Sequence, residues 1–217
     1  MISACILAKN DKKDVEELMG NIDGFVDEIL LIIDKGCSDG TDEMAKKHGA
    51  KVLERNMDGD FGAQRNFAIE NAKSDWIFMI DSDERCSDEL LKSLQEITKS
   101  DVNYDGITIL WKNYRDENLV EVPRKLCLFK RHGYYKDKVH EKTQGLKNIV
   151  NLGDEQKYLT HIKSKEDQVS RLNKYEQMIK DNIDSAKKLD DESKVAYFAY
   201  MLERHQEKKT NWLGDYI

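Results

Sequence analysis

Residues 76–84 read Trp-Ile-Phe-Met-Ile-Asp-Ser-Asp-Glu, five apolar residues running without a break into acidic ones. An apolar run of this length, bounded by polar residues, suits a strand covered on both faces, as in a parallel sheet. Asp81 and Asp83 lie one residue apart just past its end, where open α/β sheets form their ligand cleft. Hard divalent cations take oxygen ligands and bridge to phosphate oxygens, so such a pair can seat a cation against a phosphorylated ligand. Taken alone, the same acids also fit a solvated loop, or caps for the next helix. Their neighbours decide.

Upstream, Ile2–Ala8 is a short apolar run ending in Lys9-Asn10-Asp11, which predicts a buried strand. Val15, Leu18, Met19 and Ile22 recur at helical spacing. Glu28–Ile33 predicts a second strand, closed by Asp34 and the turn 36–40. Thr41 is expected to cap a helix through His48, with Gly49 as its stop. Lys51–Glu54 makes a third strand, and Phe61 to Ala72 a helix carrying Arg65 and Asn66. After Trp76–Ile80, Ser87 or Asp88 can cap a helix to about Lys99. Alternating strands and helices imply a mostly parallel central sheet with right-handed crossovers, flanked by helices. Asn10, Asp34 and Asp81 then converge at the carboxyl ends of neighbouring strands.

The pattern changes after Lys99. Gly106–Trp111 and Lys125–Arg131 predict strands with no helix of ordinary length between them. Tyr134 to Glu141 reads as a polar loop and Ile149–Leu152 as a further strand. Helical stretches follow over about Glu166–Lys188 and Glu192–Lys208. The expectation is one α/β domain over 1–163 with a helical C-terminal extension, 164–217, packed on it.

Composition narrows the partners. With a formal net charge of −7 over 217 residues, the chain lacks the basic surplus that nucleic-acid backbones require. A phosphorylated small molecule remains compatible, because a divalent cation can sit between carboxylates and phosphates. The single proline and the 39% hydrophobic content favour a packed core over long disorder. Cys5, Cys37, Cys86 and Cys127 form no CxxC pair, which argues against a zinc site or a disulfide framework. Reduced thiols, a start too short for a signal peptide, and no apolar run of membrane-spanning length set the expected location as cytoplasmic, with a peripheral visit to a membrane as the variant. No GxGxxG follows the first strand, which disfavours dehydrogenases and methyltransferases. Ala8-Lys9-Asn10-Asp11 lacks the glycines of a triphosphate loop, which disfavours nucleotidyltransferases.

Four segments together resemble the family 2 glycosyltransferases, in the family's order: residues 6–11 (ILAKND), 33–41 (IDKGCSDGT), 61–66 (FGAQRN) and 76–84 (WIFMIDSDE). A fifth, Val139-His140-Glu141, resembles a His-Glu motif of the branch that builds lipopolysaccharide core and related surface glycans. The resemblance implies the α/β GT-A (Rossmann-like) fold. It implies inverting transfer of a sugar from a nucleoside diphosphate, expected to be UDP, to a glycan or lipid-linked glycan acceptor. It places Asp11, with Ala8 and Asn10, at the nucleoside, Asp34 at the base and Arg65 near the nucleotide. Asp81, followed by Ser82, falls near ribose or sugar, and Asp83 on Mn²⁺ or Mg²⁺. His140 could complete the metal shell, since imidazole suits Mn²⁺ better than Mg²⁺. Inverting transfer also needs a base for the acceptor hydroxyl. The candidates are Glu141 and Glu84, with Asp137 third. Lys12, Lys35 and Cys37 depart from the family's usual residues, so uracil preference stays an expectation.

Other residues carry weaker signals. Arg124, Lys125, Lys130 and Arg131 could meet a diphosphate or an anionic acceptor, although a solvated strand rim explains them as well. His161 reads as a capping or surface residue. Arg171, Lys174 and Tyr175 fit acceptor contacts or an ordinary amphipathic helix. Trp111 and Tyr114 could stack on a sugar or simply pack. Val195, Ala196, Phe198, Ala199 and Leu202 mark one helical face, for which a homodimer is one use. The alternative from another class is a non-catalytic nucleotide-sugar-binding module, or one domain of a larger glycan-assembly protein.

Overall fold

The computed structural model describes residues 1–100, 102–115, 117–138, 141–163 and 165–214, without the side chains of residues 163, 165–168, 170, 171, 174, 208 and 211–214. Two compact units result, Met1–Ile162 and Lys163–Ile217.

In the first unit, β1 (Ile2–Ala8), β2 (Glu28–Asp34), β3 (Lys51–Arg55) and β4 (Trp76–Met79) alternate with α1 (Lys12–Ile22), α2 (Thr41–Lys47) and α3 (Phe61–Asn71). The four strands are parallel, in the order β3-β2-β1-β4. Alternation along β1 explains the layering. Ile2, Ala4, Ile6 and Ala8 pack with Val15, Leu18, Met19 and Ile22 of α1 and with Met44 and Ala45 of α2. Cys5 packs on the other face with Ala68 and Ile69 of α3. The helices therefore cover both faces, and all three loops that follow β1, β2 and β4 open at one edge.

Beyond β4 the sheet becomes mixed, with most described pairs antiparallel and one parallel. After β5 (Glu84–Cys86) and α4 (Asp88–Lys99) come β6 (Gly106–Arg115), β7 (Asn118–Glu121), β8 (Arg124–Lys130), β9 (Tyr134–Lys136), β10 (Lys142–Gln144), β11 (Ile149–Asn151) and β12 (Tyr158–Lys163). The sheet continues β4-β8-β6-β12-β5, with β7 and β11 on β6. In β4–β8 pairing, Trp76 faces Lys130 and Phe78 faces Leu128, so the start of β8 lies level with the residues that follow β4. In β12–β5 pairing His161 faces Glu84.

The stretch expected to be a loop, Tyr134 to Glu141, contains β9, which pairs with β10. Asn66 of α3 fixes it: its side chain donates to the Tyr135 carbonyl at 2.8 Å and accepts from the Tyr135 N–H at 2.7 Å. A side-chain amide thus takes the place of a neighbouring strand. The cap of α2 also differs from expectation. Asp39, two residues ahead of Thr41, accepts the Thr41 N–H at 3.0 Å and the Lys12 N–H at 2.9 Å, so one carboxylate serves two helix starts.

The second unit pairs α5 (Lys165–Lys188) with α6 (Glu192–Gly214) through Leu189, Asp190 and Asp191. His205 bonds the Leu172 carbonyl at 2.9 Å and stacks on Tyr175, and Lys209 reaches Glu176 at 2.6 Å. Among the described residues no helix is long and apolar enough to cross a membrane.

Candidate active site

Two groups of polar side chains occupy the carboxyl edge of the parallel strands. The first joins the loops after β1 and β2. Asp34, at the end of β2, accepts from Lys9 Nζ at 2.7 Å and from the Met57 N–H at 2.8 Å. Asn10 takes a left-handed backbone (φ 56°), and its side-chain oxygen accepts the Ser38 N–H at 2.8 Å. Asp11 accepts the Lys9 N–H at 2.9 Å. Ala8 is buried at the end of β1. These contacts tie the two loops into one rim.

The second group surrounds the acid pair. Arg65 of α3 donates from Nε to Glu141 at 2.7 Å and from Nη2 to Asp81 Oδ1 at 3.0 Å. Its guanidinium lies 5.5 Å from the Tyr135 ring centre. Lys125, which β8 places level with Asp81, donates to Asp81 Oδ2 at 2.8 Å and to both oxygens of Glu84 at 2.7 Å. The Glu84 carboxylate is fully buried and also accepts the Asp81 N–H at 3.0 Å. Gly62 permits this arrangement, because α3 starts against the loop after β9. Phe61 N–H donates to the Lys138 carbonyl at 2.8 Å, and a Cβ at Gly62 would collide with the Asp137 carbonyl oxygen.

Electrostatics follow from these distances. Burial pushes the Asp81 carboxyl up, but the Lys125 ammonium and the Arg65 guanidinium outweigh it and hold the acid well below the usual carboxylate range. For Glu84 burial wins: it raises the carboxyl, Lys125 pulls it back only in part, and Asp81 adds to the rise. Burial disfavours the Lys125 cation, yet Asp81 and Glu84 lift its affinity for the proton above the ordinary value.

Asp83 points elsewhere. Its Oδ2 lies 3.0 Å from His161 Nε2, and His161 Nδ1 lies 2.7 Å from Asn113 Oδ1. Asn113 Nδ2 donates to Glu121 at 3.2 Å, which fixes the amide oxygen toward the histidine. His161 therefore faces acceptors at both ring nitrogens. The Trp111 ring stacks on the imidazole at 5.0 Å and holds it in plane.

The structure thus joins Arg65, Asp81, Glu84 and Glu141, sets Asp83 beside them on His161, and keeps Asn10, Asp11 and Asp34 on the adjoining rim. Ser82 is buried and its carbonyl accepts from Arg85 at 2.7 Å. His140 lies outside the described residues. Lys125 and His161, read from sequence as a strand rim and a cap, are the two whose weight only the fold reveals. No local signal marked Lys125, because Cys127, Leu128 and Phe129 are buried in succession and β8 slips register against β6 at Cys127.

Comparison with known proteins fits this geometry. Residues 3–151 match the model of glycosyl transferase family 2. The chain belongs to that family. An uncharacterized glycosyltransferase of Rickettsia bellii is 35% identical over 99 residues, which are 46% of this chain and 33% of that one. A TPR repeat-containing protein of Synechococcus elongatus is 35% identical over 83 residues, 38% of this chain and 20% of that one. The matched stretches are thus about a third and a fifth of the length of these relatives. Staphylococcus aureus TarS 1–349, solved with UDP-GlcNAc, superposes with a TM-score of 0.59 at 15% identity, covering 82% of this chain and 64% of that one. Its complex with UDP gives 0.58 at 16%, with 82% and 65% covered. At such identity the likeness concerns the fold, which is GT-A.

Proposed function

We propose that the chain is a divalent-cation-dependent, inverting glycosyltransferase acting on a nucleoside-diphosphate sugar, with UDP as the nucleotide. The observation that carries this is the convergence of Asp34, Asp81, Asp83, Arg65 and His161 at one edge of a family 2 sheet. TarS, solved with UDP and with UDP-GlcNAc, supplies the nucleotide expectation.

The donor set fits a cation. Two ligands about 2.1 Å from an octahedral ion and at right angles to each other lie about 3 Å apart; Asp83 Oδ2 and His161 Nε2 are 3.0 Å apart. On that spacing Asp83 and His161 are the pair assigned to Mn²⁺ or Mg²⁺. Among the described residues no group of three or more ligating side chains occurs; a cation held by these two would need further oxygen ligands from water or the nucleotide, as is usual at nucleotide sites. When bound, the ion supplies charge neutralisation to the leaving diphosphate.

The chain's own residues do the rest. Arg65 offers a preorganised positive charge beside Asp81, where the leaving group departs. Asp81, fixed at both oxygens, presents its remaining lone pairs to sugar or ribose hydroxyls. Glu141 takes the proton of the acceptor hydroxyl as that oxygen bonds to the anomeric carbon and the bond to the diphosphate oxygen breaks. Glu84 is unsuited to that step, since its carboxylate is buried and both oxygens serve Lys125. The acceptor class is a glycan hydroxyl, free or lipid-linked. Incubating the purified chain with Mn²⁺ and a panel of radiolabelled sugar nucleotides tests this reading. Hydrolysis or transfer of one donor is expected, whereas tight binding without turnover on any acceptor would make the chain a binding module.

A further inference from the structure

The Lys125 ammonium has three N–H groups and, within hydrogen-bond distance, three carboxylate oxygens: Asp81 Oδ2 and both oxygens of Glu84. Every proton it carries is committed inside the protein. A lysine at the mouth of a phosphate site is ordinarily read as a phosphate ligand, and this one has no donor left for the task.

Its partners close a ring. The Asp81 N–H donates to Glu84 Oε2 at 3.0 Å, and the Glu84 N–H donates to the Asp81 carbonyl at 3.0 Å. The Glu84 side chain then reaches Lys125, and Lys125 returns to the Asp81 side chain. The four-residue turn that carries both acids is thereby bolted to β8, a strand that enters the fold more than forty residues later. Arg65 holds the other oxygen of Asp81 at 3.0 Å. With one oxygen on each cation, the Asp81 carboxylate cannot rotate without losing a charged hydrogen bond.

We propose that Lys125 is a positioning residue for the donor site: it touches no substrate, but fixes Asp81 in the orientation that receives the nucleotide sugar. The proposal rests on the donor-site reading given above. It assigns the second cation of the site to the protein's own carboxylates, and leaves Arg65 as the side chain that meets the diphosphate.

Lys125→Met alone leaves the fully buried Glu84 without its cation and is expected to melt early, which would say nothing about positioning. The paired variant Lys125→Met/Glu84→Gln removes both charges together and keeps an acceptor for the Asp81 N–H. It is compared with wild type, with Asp81→Asn and with the triple variant, reading the melting temperature and the affinity for UDP in Mn²⁺ by calorimetry. The paired variant should melt within a few degrees of wild type and bind UDP at least tenfold more weakly. In the Asp81→Asn background the paired change should cost no further affinity, because its effect passes through Asp81. Wild-type affinity in the paired variant overturns the positioning role. A full additional loss in the Asp81→Asn background overturns it as well, by showing direct contact with the ligand. A wild-type chain that binds no nucleotide removes the donor-site reading and this inference together.

Discussion

His161 Nε2 and Asp83 Oδ2 lie 3.0 Å apart although 78 residues separate them in the chain. The pairing arises because β12 runs antiparallel to β5 with His161 opposite Glu84, which sets the imidazole beside the turn that follows β4. The stacked tryptophan fixes the plane of this buried histidine between two acceptors, the arrangement on which the proposed cation assignment rests.

Outer partners of a metal-bound histidine tune its affinity by about 10–100-fold. Asn113→Leu removes the acceptor at Nδ1 without touching the proposed ligands. It is expected to weaken Mn²⁺-dependent UDP binding by about tenfold or more, with metal-free UDP binding nearly unchanged. Calorimetric titrations with Mn²⁺ and with EDTA check this; an equal loss in both would place Asn113 in the fold alone.

Arg65 forks between Glu141 and Asp81, and a lysine cannot reproduce that planar geometry. Arg65→Lys should therefore behave almost like Arg65→Met, with a loss of about 1.5–3 kcal/mol in UDP binding. Dissociation constants for the two variants decide it. Near-wild-type affinity in Arg65→Lys would mean that charge alone suffices.

Gly62 sits in α3, where alanine would ordinarily stabilise a helix by about 0.5–1 kcal/mol. Here the added methyl meets the Asp137 carbonyl, so Gly62→Ala should lower stability, by about 1–3 kcal/mol. It should also loosen the Arg65–Glu141 pair. Urea midpoints measure the first effect, and a stabilised variant would contradict the packing described.

Asp39 holds the starts of α1 and α2. Burial pushes its carboxyl up, but the bonds from Thr41, the Lys12 N–H and Cys37 together outweigh this and bring it to about 2. A depressed native value adds stability that is present above the unfolded value of about 3.9 and is lost as pH falls through the native one. The stability gap between wild type and Asp39→Asn should thus be constant above about pH 5 and shrink toward pH 2. Denaturant midpoints across that range provide the check.

Much of the first half of the chain was legible because β1, β2 and β4 are largely continuous apolar runs and α1 repeats its apolar positions at fixed spacing. Val15, Leu18, Met19 and Ile22 face the core as their spacing implies. The ends of β1, β2 and β4 marked the cleft for the same reason, since strands covered on both faces stop where polar residues begin. The antiparallel half was harder. On β12 His161 is buried while Ile162 is 60% exposed, the reverse of what hydropathy predicts. On β7 Leu119 and Val120 face solvent, so apolar character did not mark a covered strand. Lys125 reads as a rim residue until the β4–β8 register sets it level with Asp81. Such pairings are fixed by register between distant strands, and no local pattern in the chain encodes them.

The most direct measurement is the affinity of the purified chain for UDP with and without Mn²⁺, for wild type and for the Asp83→Asn/His161→Ala variant. Mn²⁺ should tighten UDP binding to wild type by at least tenfold and leave the folded variant's binding unchanged. Equal tightening in both would place the cation elsewhere and contradict the assignment of Asp83 and His161 as its holders.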